Sequence, residues 1–157
     1  MIRLFVILAF FVSGASSLML EVVWSKGLGH VLGNTLEAIT TVVAAYMGGL
    51  ALGASWAGRS GAGQKRPVRS YGLLEIGIGI FGLVSPWLIH SLDGPIGAAY
   101  EAFGATSPVY FTVRFLGTFA LLLVPTTLMG ATLPILVSWG SRRADLARVL
   151  GTLYAVN

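Results

Sequence analysis

Cysteine is missing altogether from this 157-residue chain, which excludes disulfides, thiolate metal sites and thiol nucleophiles and leaves the redox compartment unreadable. Charge is scarce as well. Six acids and ten bases make up 10% of the residues, where soluble domains carry about 25%. A soluble fold of this length needs a polar shell around its core, and so few charges do not cover one. With 55% hydrophobic residues, the missing shell points to lipid as the solvent. A pI near 9.9 suits a nucleic-acid binder when the bases share one face, but here they sit in short connections between apolar runs. We read them as topology signals and expect no nucleic-acid partner.

The apolar runs predict an all-α integral membrane bundle, a single domain of about four transmembrane helices. Residues 2–20 are close to the ~20 needed to cross a ~30 Å hydrocarbon layer. Arg3, the apolar residues after it and Gly14-Ala15-Ser16 also fit a secretory signal peptide; since the segment is present in the molecule, a retained span is the expectation. The second span, 36–57, holds Gly49-Leu-Ala-Leu-Gly53, a GxxxG that lets two helix backbones approach closely in lipid. Packing within the chain is preferred here over dimerisation. A solvated loop follows, with Arg59, Lys65, Arg66, Arg69 and Pro67. The third span, 71–92, contains Glu75, and residues 93–108, with Asp93, Gly94, Pro95, Gly97, Glu101 and Pro108, read as a connection.

The fourth run, 109–140, would reach about 48 Å as a straight helix, so a kink is expected at Pro125 and Pro134, with Thr126, Thr127 and Thr132 serving the freed carbonyls. Residues 144–157 are too short to span and end without a stop signal, which predicts the start of a further, incomplete helix and a chain that continues. Eight bases (Arg3, Arg59, Lys65, Arg66, Arg69, Arg142, Arg143, Arg148) lie on one side against Lys26 on the other. The positive-inside rule makes that side, and both termini, cytoplasmic; a bacterial inner (plasma) membrane is the expected location.

Ionisable residues near lipid need a partner, water or a task. Glu21 at the outer end of the first span, Glu37 at the start of the second, Lys26, and Arg114 near the outer end of the fourth form a candidate outer-leaflet cluster, with Trp24 beside it. Such a cluster would either bind a charged ligand, cations such as amines in particular, or hold helix ends together by ion pairing, the preferred reading. Glu75 is expected to pair with Arg69 or Arg59. His30 and His90 have no Asp, Glu or His at metal-ligand spacing on a shared helix, so no metal is expected. Trp24, Trp87 and Trp139 fall near span ends as interfacial anchors. There is no Ser-His-Asp order, no carboxylate pair with a spare base and no P-loop, so neither catalytic residues nor cofactors are expected.

Three stretches, Ser13-Gly-Ala-Ser-Ser-Leu-Met-Leu-Glu-Val-Val-Trp24, Ala44-Ala-Tyr-Met-Gly-Gly-Leu-Ala-Leu-Gly-Ala-Ser55 and Leu123-Val-Pro-Thr-Thr-Leu-Met-Gly-Ala-Thr-Leu-Pro134, resemble the amino-terminal membrane domain of membrane-bound (fused transporter) spermidine synthase-like proteins. The closing Gly151-Thr-Leu-Tyr-Ala-Val-Asn157 is similar to that family's entry into its next span. The resemblance implies further helices and a separate Rossmann-like aminopropyltransferase domain, whose glycine-rich turn and acidic set this sequence lacks. Gly58-Arg59-Ser-Gly61 with Lys65-Arg66 loosely resembles the basic loop of major-facilitator transporters, without that motif's Asp. The expected function is a noncatalytic membrane domain that binds or passes a small cationic metabolite, a polyamine by the resemblance. The alternatives are a structural subunit of a larger membrane complex and a partial transporter.

Overall fold

The computed structural model describes residues 2–32, 36–61 and 66–140, together with Gly151 and Ala155. Five helices follow one another: α1 (Ile2–Leu32), α2 (Leu36–Gly61), α3 (Pro67–Ser91), α4 (Asp93–Phe103) and α5 (Pro108–Gly140). No strand occurs among the described residues. Four stretches are long and apolar enough to cross a membrane: Leu4–Leu32, Ile39–Ser60, Pro67–Phe103 and Pro108–Trp139. The chain is an all-α integral membrane bundle, and one of its four spanning helices bends by 22°, a deflection typical of an internal proline. Helix α5 carries two prolines, Pro125 and Pro134, and α3 carries Pro86.

The boundaries differ from the sequence reading in two places that matter. Helix α1 does not stop at residue 20 but runs to Leu32, because nothing between Glu21 and Leu32 breaks a helix and no proline intervenes. Residues 93–108 are mostly helical as well. Leu92 keeps right-handed helical angles, so α4 continues almost directly from α3. Pro95 falls in the first turn of α4, where a backbone N–H would have no partner in any case. Helix α4 ends at Gly104, whose φ of 81° and ψ of 164° are open only to glycine and whose N–H reaches the Tyr100 carbonyl at 2.8 Å. Ser107 then caps α5, its hydroxyl accepting the Val109 N–H at 3.2 Å beside Pro108. The expected helix start at 144–157 lies outside the described residues apart from Gly151 and Ala155.

Side-chain contacts set the arrangement. Helices α1 and α3 run side by side in the same direction, with Phe10 against Tyr71, Ser13 against Glu75, Leu20 against Gly82 and Trp24 against Ser85. Helices α2 and α5 also run together, joined through glycine. A Cβ at Gly49 would overlap the Thr126 hydroxyl, one at Gly53 the Thr127 carbonyl, and one at Gly130 the Leu50 carbonyl. Only residues without a side chain allow two backbones so near. Helix α5 is the hub: 44% of an apolar 18-residue segment of it is buried, against 28% of the corresponding segment in α2, 17% in α1 and 11% in the α3–α4 stretch. Phe5, Leu8, Leu73, Ile76, Leu83 and Trp87 are exposed on the outer faces of α1 and α3, a surface suited to acyl chains and not to water.

The threonines near the prolines do not serve the carbonyls that the prolines free. Thr126 donates to Leu122 O at 2.7 Å, Thr127 to Leu123 O at 2.6 Å and Thr132 to Met129 O at 2.7 Å. The carbonyls lacking a helical donor are those four residues before each proline, Leu121 and Gly130.

Candidate functional site

The extension of α1 redistributes the expected outer cluster. Glu21 lies eleven residues before Leu32, about 16 Å along the axis, and so inside the apolar layer. Arg114 sits at the level of Leu32 instead. Its Nη2 donates to the Leu32 carbonyl at the carboxyl end of α1, a free acceptor and the negative pole of the helix. Its guanidinium carbon lies 5.1 Å from the Tyr110 ring centre, and its Nε is buried without a hydrogen-bond partner. Arg114 and Glu21 are therefore kept apart by about three turns of α1. Lys26 is exposed, and the side chain of Glu37 lies outside the described residues. Among the described residues the one contact between a basic and an acidic side chain is His90 Nδ1 to Asp93 at 2.8 Å, an ion pair only when the imidazole is protonated. His90 thus has a carboxylate three residues on along the nearly continuous α3–α4 helix, contrary to the sequence reading. No group of three metal-ligating side chains forms among the described residues.

Trp24 is no interfacial anchor. It is fully buried, its Nε1 donates to Ser85 Oγ at 2.9 Å, and its ring meets Phe81 edge-on at 5.8 Å. The cause is again the length of α1, which carries position 24 into the bundle. Trp87 is exposed near the end of α3, and Trp139 is partly buried near the end of α5.

Two half-buried carboxylates remain, both inside the spans and both, among the described residues, without a cation within 4 Å. Glu21 lines a cavity of about 180 Å³ between α1, α2 and α5, shared with Ser13, Ser17, Tyr46, Met129 and Thr132. Tyr46 donates weakly to Ser17 O at 3.4 Å and to Met129 Sδ at 3.5 Å. Glu75 does not pair with Arg69 or Arg59, which are exposed; it lies eight residues into α3, about 12 Å, beyond the reach of side chains held in water. Its Oε1 accepts the Ser13 hydroxyl at 2.6 Å, and it lines a groove of about 810 Å³ between α1 and α3.

Ser13 and Ser17 border both spaces. The polar residues Ser13, Ser17 and Glu21 recur every four positions, a stripe along α1 legible in the sequence but passed over there. Tyr46 and Tyr71, each contributed by another helix, left no such signal. Unpaired carboxylates inside lipid mark places where a cation can be held, since a lone charge costs about 2.5–3.5 kcal/mol on insertion scales. No family model matches the chain, and no curated protein or solved structure matches it.

Proposed function

We propose that this chain is the noncatalytic membrane domain of a spermidine synthase-like protein, set in a bacterial plasma membrane with both termini cytoplasmic, and that its Glu21 cavity binds a small organic cation such as spermidine. One observation carries the reading: Glu21 lines a cavity between three helices, with no cation of the described residues within 4 Å. An ammonium group there neutralises the carboxylate, and the hydroxyl oxygens of Ser13, Ser17 and Thr132 accept its remaining N–H groups. The test is equilibrium binding of radiolabelled spermidine to the detergent-purified chain and to Glu21→Gln. Loss of the charge-assisted contact is expected to weaken binding about tenfold or more. Equal affinity, or no binding to either, removes the cavity reading.

A second reading, a structural subunit that docks against other membrane chains, is favoured by the outer faces of α1 and α3, where only 17% and 11% of an apolar 18-residue segment is buried. Photo-crosslinkers at Leu8 and Leu83 in native membranes test it. Discrete protein adducts support docking, whereas adducts with lipid alone show these faces to be solvated by acyl chains.

A further inference from the structure

The groove between α1 and α3 has features that the Glu21 cavity does not use. Glu75 accepts a hydrogen bond there from Ser13 at 2.6 Å, and no cation of the described residues lies within 4 Å of it. Tyr71, one turn earlier on α3, is only 6% exposed and lines the same groove. Its hydroxyl is buried close to Ser13 and Glu75, and among the described residues no hydrogen bond of good geometry reaches it. A buried polar atom left without a partner is uncommon enough to need a reason. The rest of the wall is apolar, with Phe5, Leu8, Val12, Val68 and Ile78, and Phe5, Leu8 and Val12 are open to the lipid-facing surface. About 810 Å³ falls within the ~300–1,000 Å³ of small-molecule sites.

We infer that this groove is a second binding site, for a single-chain amphipathic amine whose cationic head sits on Glu75 and whose hydrocarbon chain lies along the wall between α1 and α3. A primary ammonium carries three N–H donors, and the site offers three oxygens: the Glu75 carboxylate, the Tyr71 hydroxyl and the Ser13 hydroxyl. Charge selects the head and apolar area selects the tail. A fatty acid is repelled, a fatty alcohol lacks the charge, and a short amine lacks the buried chain. Glu75 lies about 12 Å along α3 from its start, deeper than a diacyl lipid anchored at the interface brings its amino head.

The test uses the full chain in neutral maltoside micelles with radiolabelled dodecylamine as the probe. Saturable binding is expected that dodecanol, dodecanoate and propylamine do not displace and that added phosphatidylethanolamine leaves unchanged. Glu75→Gln should weaken it about tenfold or more, Glu75→Asp should keep part of it, and Glu21→Gln should not alter it. Val12→Trp fills the groove from its apolar wall while leaving the carboxylate in the chain and should also abolish binding, which keeps the test decisive if Glu75→Gln fails to fold. The site is refuted if dodecanol displaces the probe as well as dodecylamine does, or if Glu75→Gln or Val12→Trp binds within about twofold of wild type. Displacement by phosphatidylethanolamine refutes the single-chain ligand in favour of a lipid head. Spermidine binding lost in Glu21→Gln reports on the other cavity alone, so the two sites stand or fall separately.

Discussion

At position 24 an indole N–H is held where neither water nor headgroup can reach it, and Ser85 is its acceptor at 2.9 Å. Ser85 donates its own O–H to the Gly82 carbonyl at 2.8 Å, so the hydroxyl serves as hydrogen-bond acceptor and donor at once. Ser85→Ala strands the indole donor in an apolar setting. We expect a loss of about 1 kcal/mol, between the ~0.6 typical of hydrogen bonds in bilayers and the 1–3 of an unsatisfied buried donor. Reversible unfolding in mixed dodecyl sulfate and maltoside micelles measures it, and a midpoint unchanged by the substitution would sink the assignment. Trp24 also shows why the candidate site was only partly legible. Its identity suggested a membrane interface, but its depth depended on where α1 ends, and no residue between Glu21 and Leu32 announces that end. Glu21 and Glu75 were visible as anomalies in apolar runs. Tyr46, which shares the cavity of Glu21, and Ser13, which bonds Glu75, come from other helices and follow from packing alone.

Helices α2 and α5 meet along Gly49, Gly53, Thr126, Thr127, Gly130 and Ala131. Gly53→Val drives two methyl groups into the Thr127 carbonyl, and backbone has nowhere to retreat. The expected cost is on the order of 3 kcal/mol or more in the same unfolding assay. Gly79, which has open space around it, is the control: Gly79→Ala should be neutral or gain up to about 1 kcal/mol from helix propensity. Both halves of this seam stood out in the sequence, one as a GxxxG and the other as the unusual run from Leu123 to Pro134. Their meeting did not, because contact between helices so far apart in the chain leaves no periodic trace in either. Helix α4 was hidden for a different reason. Its Asp, Gly and Pro are turn formers by composition, yet Asp93 and Pro95 are also favoured in a first helical turn, where Asp meets the positive pole and Pro costs no hydrogen bond.

For the molecule as a whole, the number of spans and their approximate positions followed from apolar run length, the most direct physical signal that lipid imposes. The proposed orientation rests on the asymmetry of the bases and can be tested with unusual economy, since each cysteine introduced into this cysteine-free chain is unique. In right-side-out vesicles, a membrane-impermeant maleimide should label Thr106→Cys, in the turn before α5, and spare Ser60→Cys, at the end of α2, until the vesicles are opened. The reverse pattern would invert the topology. The glycine seam bears on motion as well as on stability. Two helices whose backbones interlock cannot slide or roll past each other without collision, so α2 and α5 form a rigid keel. Helices α1 and α3, held to the bundle mainly by side chains, carry the compliance. Any breathing that admits a ligand to either carboxylate must then come from those two helices shifting against a fixed pair.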